Sequence, residues 1–273
     1  MIAKTLIFFL TFLLSACSFN NVFFPVDERA GAKIDGVNIK RVELVSSDEK
    51  KIQHYLISSN TPSKATIFVF QGSGSTVINW LKVIKPLIES GYQVFMMEYR
   101  GFGNSEGNAS HDSVANDANL ALQYLAGRTD VEDKPLFVLG QSYGGQLAIY
   151  VTHKNQQLID GLITEGTFTS FSEEAASFSP WPISLLVNLF VSNEYESHEL
   201  IQNIETNKLF IHSNEDKVVP FYMAEILYSK AIGKKELWTI NGKHVSGLLD
   251  KPVEYVSRID GLLLNIHKKT SSD

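Results

Sequence analysis

Residues 134–148, with the sequence KPLFVLGQSYGGQLA, decide how the chain folds. Residues 136–139 are a short apolar run, which predicts a strand buried on both faces of a sheet. The segment GQSYG, residues 140–144, follows at once, and residues 146–153 then favour a helix. The stretch therefore predicts a strand, a tight turn with Ser142 at its apex, and a helix that leads away from the turn.

The glycines beside Ser142 suit a reactive serine at such a turn. An apex residue takes a strained backbone conformation, and its neighbours must approach it closely. Gly140 and Gly144 have no Cβ to obstruct that approach, and Gly145 keeps the following helix close to the sheet. The backbone N–H of Tyr143 would lie at the start of the helix, where it can donate to a developing oxyanion. The alternative is a glycine-rich turn with an idle serine.

Composition and charge exclude several classes of protein. The chain has 273 residues, 44% hydrophobic and 20% charged, which is typical of a globular protein with one large core. Its net charge of −6 and the lack of a basic run disfavour nucleic-acid binding. Cys17 is the only cysteine, so neither an internal disulfide nor a cysteine-ligated metal site can form. We expect no metal and no cofactor.

Residues 1–16 are predicted to be a signal peptide. Their apolar part, residues 6–14, is shorter than a membrane span needs. The segment LSAC, which ends at Cys17, resembles the lipobox of bacterial lipoproteins. The resemblance implies cleavage before Cys17, acylation of its thiol and attachment to the cell envelope. It also favours the outer membrane, because Ser18 is not the aspartate associated with inner-membrane retention. The alternatives are an ordinary signal peptide with an incidental cysteine and an uncleaved anchor.

Residues 17–36 are predicted to be a tether, and residues 37–273 a single domain. The tether is too apolar to be purely flexible, and we expect Phe23 or Phe24 to pack against the body. In the domain, short apolar strands alternate with helices, and Pro86 is expected to kink or break the first helix. Strands are predicted at 42–46, 55–58, 65–70, 94–97, 136–139, 162–164, 209–212 and 236–240, and helices at 77–90, 112–126, 146–153 and near the end of the chain.

A second segment carries a family resemblance. Residues 98–107, EYRGFGNSEG, resemble the D-Y-R-G-x-G-x-S-x-G segment of hydrolases similar to serine aminopeptidases and their lipase-like and thioesterase-like relatives. Glu98 replaces the usual aspartate. The turn at Ser142 resembles the nucleophile elbow of the α/β-hydrolase superfamily, and the likeness covers roughly residues 41–267. It implies an α/β fold with a mostly parallel central sheet flanked by helices, and Arg100 as a buried ion-pair partner rather than a catalytic residue.

The resemblance also implies an acid and a histidine. Asp216, in the loop after strand 209–212, matches the acid, and the adjacent Glu215 matches less well. Glu165 is a reserve candidate, because some hydrolases place the acid at the end of that earlier strand. His244 follows the last strand, so that Ser142, Asp216 and His244 occur in the order that the fold requires.

The same resemblance implies an oxyanion hole and a cap. The loop after strand 65–70 usually contains His-Gly, and here Gln71-Gly72 takes that place. We therefore expect the backbone N–H groups of Ser73 and Tyr143 to bind the oxyanion. Residues 167–206 interrupt the strand–helix alternation and include the apolar run 183–191. Relatives insert a small helical cap here, and the alternative is a surface excursion with no role in binding.

Together these residues predict a serine hydrolase. Ser142 would attack an ester, thioester or amide, with His244 as the base and Asp216 orienting it, through an acyl-enzyme intermediate. The expected partners are an acyl substrate and, through Cys17, a membrane. Two alternatives stay open: a peptidase of the serine aminopeptidase type, although no acidic motif that would bind a peptide N-terminus is evident, and a membrane-tethered binding protein on a retired hydrolase scaffold.

Overall fold

The computed structural model describes residues 36–181, 184, 191 and 195–270, with side chains as far as Leu264. The predicted signal peptide, Cys17 and nearly all of the tether lie outside the described residues. The apolar run 183–191 also lies outside them, apart from Ser184 and Val191. Within the described part of the chain, no helix is both long and apolar enough to cross a membrane.

In the described part of the chain, eight strands form one central sheet. They are β1 (Asn38–Val45), β2 (Lys51–Ser58), β3 (Ala65–Phe70), β4 (Tyr92–Met97), β5 (Leu136–Gln141), β6 (Gly161–Glu165), β7 (Asn207–Ser213) and β8 (Lys235–Ile240). Their order across the sheet is β1-β2-β4-β3-β5-β6-β7-β8. The pairs β1–β2 and β2–β4 are antiparallel, and all the others are parallel. The mostly parallel sheet that the sequence predicted is confirmed.

Helices cover the sheet on both faces. They are α1 (Val77–Glu89), α2 (His111–Ala126), α3 (Tyr143–Lys154), α4 (Phe171–Phe178), α5 (Ser197–Leu200), α6 (Phe221–Lys230), α7 (Gly247–Asp250) and α8 (Pro252–Thr270). Short 3₁₀ turns lie at Gln156–Leu158 and Ile201–Asn203. The flanking helices agree with the predicted fold class, and α4 and α5 lie between β6 and β7, where the cap was predicted.

Pro86 was expected to kink or break the first helix, and the break does not occur: α1 continues through Pro86. A proline inside a helix removes one hydrogen bond and crowds the preceding turn. Here the apolar face of α1 packs against the sheet, and Ile84 and Leu87 on either side of Pro86 are fully buried. Tertiary packing therefore offsets the local cost of the proline.

The core lies in two apolar layers, one on each face of the sheet. Strand side chains alternate between faces, so Phe68 and Phe70 belong to one layer, whereas Ile67 and Val69 belong to the other. Every residue of β3, β4, β5 and β6 is buried. Strands that are buried along their whole length and mostly apolar are typical of a parallel sheet covered on both sides.

Arg100 is a buried ion-pair partner, as predicted. Its side chain is 6% exposed, and its Nε lies 2.5 Å from Asp117 Oδ2. A second nitrogen donates to Asp117 Oδ1 at 2.9 Å, and the guanidinium also contacts Asp48. These bonds fix the backbone of the segment after β4, beside the turn at Ser142.

The predicted site residues lie at one edge of the sheet, where the parallel strands end. In the register, Gln141 at the end of β5 pairs with Glu165 at the end of β6, and Glu165 pairs with Ile211. Ser213 at the end of β7 pairs with Ile240 at the end of β8. The loops that follow these strands therefore meet at the carboxyl edge, where α/β folds place their ligands.

Candidate active site

Ser142 stands at the apex between β5 and α3. Its backbone has φ 54° and ψ −122°, and residues other than glycine rarely adopt a positive φ. Hydrogen bonds hold this conformation: Ser142 N–H donates to Glu165 O at 2.8 Å, and Gly145 N–H donates to Ser142 O at 2.9 Å. Strain of this kind persists only where the surroundings impose it, and it is concentrated at functional sites.

The glycines after Ser142 permit this turn by close packing. A Cβ on Gly144 would lie 2.1 Å from the carbonyl oxygen of Phe70, and a Cβ on Gly145 would lie 1.7 Å from Thr167 Oγ1. Neither space can hold a carbon atom. The start of α3 therefore lies directly against the end of β3 and against the segment after β6.

His244 and Asp216 form a hydrogen-bonded pair. His244 Nδ1 lies 2.7 Å from Asp216 Oδ2, and the Asp216 side chain is 1% exposed, whereas that of His244 is 19% exposed. Asp216 Oδ1 accepts hydrogen bonds from the N–H groups of Val218 at 2.8 Å and Val219 at 2.9 Å. Burial acts to raise the pKa of Asp216, but the hydrogen bonds and the His244 charge outweigh it and hold that pKa below its ordinary value. Asp216 is therefore a carboxylate that orients the imidazole.

The imidazole lies next to the serine turn. A Cβ on Gly166 would be 3.0 Å from His244 Cε1, so the ring packs against the backbone of Gly166. The preceding residue, Glu165, holds the Ser142 N–H through its carbonyl. Among the hydrogen bonds of the described residues, none joins Ser142 directly to His244. Such bonds are often long in ligand-free sites.

The other candidate acids have different partners. Glu165 is buried, and its oxygens accept hydrogen bonds from Gly247 N–H at 2.7 Å, Gln141 Nε2 at 2.7 Å and Tyr255 O–H at 3.1 Å. Glu215 is exposed and accepts from Gly242 N–H at 3.1 Å. Of the three candidates, only Asp216 contacts the His244 side chain by a hydrogen bond.

His212 is a buried neighbour of this pair. It is 1% exposed, and its Nε2 donates to Val219 O at 2.9 Å. The same nitrogen lies 3.6 Å from Asp216 Oδ2. Burial lowers the pKa of His212, so this ring is neutral and supports the Asp216 loop.

The predicted oxyanion donors lie around Ser142. A Cβ on Gly72 would be 3.6 Å from Ser142 Cβ, so the loop that contains Ser73 runs beside the serine. Tyr99 O–H donates to Gln71 O at 2.8 Å and fixes the start of this loop. Tyr143 directly follows Ser142 and is the first residue of α3. The oxyanion role of Ser73 and Tyr143 stays a prediction.

Glu174 is a neighbour of the site that the sequence analysis missed. It lies in α4 and is only 6% exposed, and its Oε2 has no hydrogen-bond partner. Burial, with a smaller effect from the charge of Asp216, raises the pKa of Glu174 to about 8. In the sequence it follows Glu173 near a helix start, where acids are ordinarily solvated, so no local signal marked it.

Among the described residues, one group has the geometry of a metal site. Glu196, His198 and Glu199 place their ligand atoms within 4.8 Å of one another. Lys230 Nζ already lies 3.2 Å from Glu199 and supplies a positive charge there. This group lies on and just before α5, and it includes neither Asp216 nor His244. The expectation that the reaction needs no metal stays a prediction.

Comparison with known proteins gives a family and several relatives. Residues 61–211 match the hydrolase family described as serine aminopeptidase, S33. The α/β hydrolase domain-containing protein WAV2 of Arabidopsis thaliana is 31% identical over 203 residues, which cover 70% of this chain and 66% of WAV2. The lysophosphatidylserine lipase ABHD12 of Danio rerio is 30% identical over 173 residues, which cover 58% of this chain and 44% of ABHD12.

A solved structure has the same fold. The esterase Pf2001 of Pyrococcus furiosus superposes with a TM-score of 0.71 at 20% identity, covering 87% of this chain and 96% of the esterase. The sheet order agrees with this fold, and the family match and the curated relatives support hydrolase activity. The chain belongs to the serine aminopeptidase S33 family of α/β hydrolases.

Proposed function

We propose that the protein is a serine hydrolase that cleaves carboxylic esters through an acyl-enzyme. One observation carries the proposal: His244, held by the buried carboxylate of Asp216 at 2.7 Å, packs beside the strained turn of Ser142. A serine hydroxyl is a weak nucleophile until a base removes its proton. A histidine oriented by a buried carboxylate is such a base.

In the first half of the reaction, His244 takes the proton of Ser142 Oγ as the oxygen attacks the carbonyl carbon. The oxyanion that forms would be bound by the N–H groups of Tyr143 and Ser73. Removing one such donor costs about 2.7–4 kcal/mol in enzymes where it has been measured. The imidazolium then returns the proton to the leaving oxygen as the carbon–oxygen bond breaks. In the second half, water attacks the acyl-enzyme with the same histidine as base.

The relatives favour an ester as the bond that is hydrolysed. One side chain, Glu174, supports an amide as the alternative. ABHD12, 30% identical over its matched part, is by name a lysophosphatidylserine lipase, which points to an ester as the substrate bond. An aminopeptidase is the second candidate. The buried carboxyl of Glu174, whose Oε2 has no hydrogen-bond partner and which lies near the charge of Asp216, would pair with the ammonium group of an aminoacyl substrate.

A panel of chromogenic substrates separates these functions. We expect the chain without residues 1–17 to hydrolyse nitrophenyl esters of graded chain length faster than aminoacyl anilides, and Ser142 to be labelled by a fluorophosphonate. Turnover of anilides alone, abolished by Glu174→Gln, would establish the aminopeptidase instead. A folded protein with neither labelling nor turnover would support the retired scaffold.

We also propose that acylated Cys17 tethers the protein to a bacterial membrane, with the outer membrane favoured. The lipobox-like LSAC segment supports this proposal, and several acyl chains together give firm attachment where one is marginal. The Cys17→Ser variant is expected to leave the membrane fraction or to keep its signal peptide. Unchanged fractionation of this variant, with no lipid on the N-terminal peptide by mass spectrometry, would refute the tether.

A further inference from the structure

A chain of two hydrogen bonds, one part-buried and one buried, lies directly behind the serine turn. The indole N–H of Trp80 donates to Gln141 Oε1 at 2.7 Å, and Gln141 Nε2 donates to Glu165 Oε2 at 2.7 Å. An indole N–H can only donate, so it fixes the orientation of the Gln141 amide with its NH₂ group toward Glu165. Gln141 immediately precedes Ser142 and is fully buried. Glu165 therefore holds the residue that leads into the turn.

The same carboxylate also holds the loop that carries His244. Glu165 Oε1 accepts a hydrogen bond from Gly247 N–H at 2.7 Å. A Cβ on Gly247 would lie 2.9 Å from that oxygen, so the loop backbone is pressed against the carboxylate. The carbonyl of Glu165 holds Ser142 N–H at 2.8 Å. Three of the hydrogen bonds that Glu165 accepts, from Gln141, Gly247 and Ser142, thus reach both sides of the pair Ser142 and His244.

The loop needs such support, because its backbone is strained. Val245, which follows His244, has φ 52°. A β-branched residue with positive φ is a genuine outlier, because its branched side chain crowds the backbone there. Such a conformation persists only where surrounding contacts impose it. The hydrogen bond from Gly247 to Glu165, two residues further along, is one of these contacts.

We propose that Glu165 is a positioning residue that sets the placement of His244 relative to Ser142. This inference rests on the proposed function. Glu165 contacts neither the imidazole by a hydrogen bond nor the serine hydroxyl, and it acts through Gln141 and the loop backbone. Displacing reacting groups by about 1 Å can cost on the order of 100-fold in rate. A carboxylate that links both segments would therefore affect turnover much more than substrate binding.

The Glu165→Gln variant tests this placement with little change in volume. In either orientation of the new amide, its NH₂ group faces another donor, Gln141 Nε2 or Gly247 N–H. We expect kcat to fall about 10- to 100-fold with KM within about threefold of the wild type. Adding Gln141→Glu to this variant exchanges the donor and acceptor between the two positions and keeps the total charge, so the double variant should recover most of the lost kcat.

Tyr255→Phe is the matched control, because it removes the other hydrogen bond to Glu165 Oε2 and leaves both linked segments attached. Its kcat should stay within about twofold of the wild type. Hydrogen exchange gives a readout that is independent of turnover: exchange in residues 243–247 should accelerate in Glu165→Gln and not in Tyr255→Phe. If Glu165→Gln does not fold, Gln141→Met breaks the same bond from its other end, with the same expected loss.

Three results would overturn the inference: a folded Glu165→Gln protein with kcat within twofold of the wild type, a double variant no faster than Glu165→Gln, or unchanged exchange in residues 243–247. Failure of the proposed function looks different. In that case the wild type itself hydrolyses no substrate and Ser142 is not labelled, while the exchange experiment still decides whether Glu165 holds the loop.

Discussion

The Ser142→Ala variant is expected to fold normally and to lose kcat by a factor on the order of 10⁵–10⁶, by analogy with other serine hydrolases. The residual rate would come from the oxyanion donors and substrate binding. Single-turnover hydrolysis of the best nitrophenyl ester, with circular dichroism and thermal melting as folding checks, measures this. A folded Ser142→Ala protein with wild-type turnover would refute the mechanism.

The partners of Ser142 should follow the same pattern. His244→Ala is expected to cost about as much as Ser142→Ala, and the double variant little more, because members of a triad act as a unit. Asp216→Asn keeps the base but holds its tautomer poorly, so its cost should be smaller, on the order of 10⁴. Glu215→Gln, at the exposed neighbouring acid, is the matched control and should be close to wild type. Equal losses in Glu215→Gln and Asp216→Asn would contradict the choice of acid.

The Gly144→Ala variant is expected to have the largest effect on stability. Its new Cβ would lie 2.1 Å from the carbonyl oxygen of Phe70 and 2.6 Å from that of Gln71. Both atoms belong to the backbone and cannot rotate away, so either the end of β3 or the start of α3 must shift. Overpacking of this kind costs about 3 kcal/mol or more. Thermal melting should show a Tm lower by at least about 6 °C.

Gly261→Ala is the control for the same chemical change. Gly261 lies inside α8, and apart from its chain neighbours and the adjacent helix backbone no described atom lies within 4 Å of the position that a Cβ would take there. Alanine is the better helix former by about 1 kcal/mol, so this variant should melt slightly above the wild type. A Gly144→Ala protein that melts within 2 °C of the wild type would mean that the turn is more adaptable than its contacts indicate.

Local patterns were enough for most of the fold. Strand β3 coincides with the strand predicted at residues 65–70. A fully buried strand is a continuous apolar run, and turn-forming residues before and after it mark both of its ends. Strand β1 begins four residues before its predicted start at 42, since most of it is exposed and alternation marks only part of it. Helix α3 begins at Tyr143 rather than residue 146, because close packing overrides the low helix propensity of Gly144 and Gly145.

The candidate site was only partly accessible from the sequence. Motif and chain order selected Ser142, Asp216 and His244 without knowledge of any contact. The link from Gln141 to Glu165 was not foreseen, because it depends on the pairing of β5 with β6. A polar residue at the carboxyl end of each of two neighbouring apolar strands is the signal that could have revealed it. Glu174 had no such signal, since its burial depends on how α4 packs.

The hydrogen bonds of Glu165 also bear on how the molecule acquires its activity during folding. The bond to Gly247 closes a loop of 82 residues, and the bond to Tyr255 closes one of 90. The hydrogen bond from Trp80 to Gln141 joins residues that are 61 positions apart in the sequence. Closing such long loops has an entropic cost that only the assembled sheet offsets. A partly folded chain therefore has no partial site, and in a refolding experiment regain of turnover should coincide with completion of the whole fold rather than with the first helices.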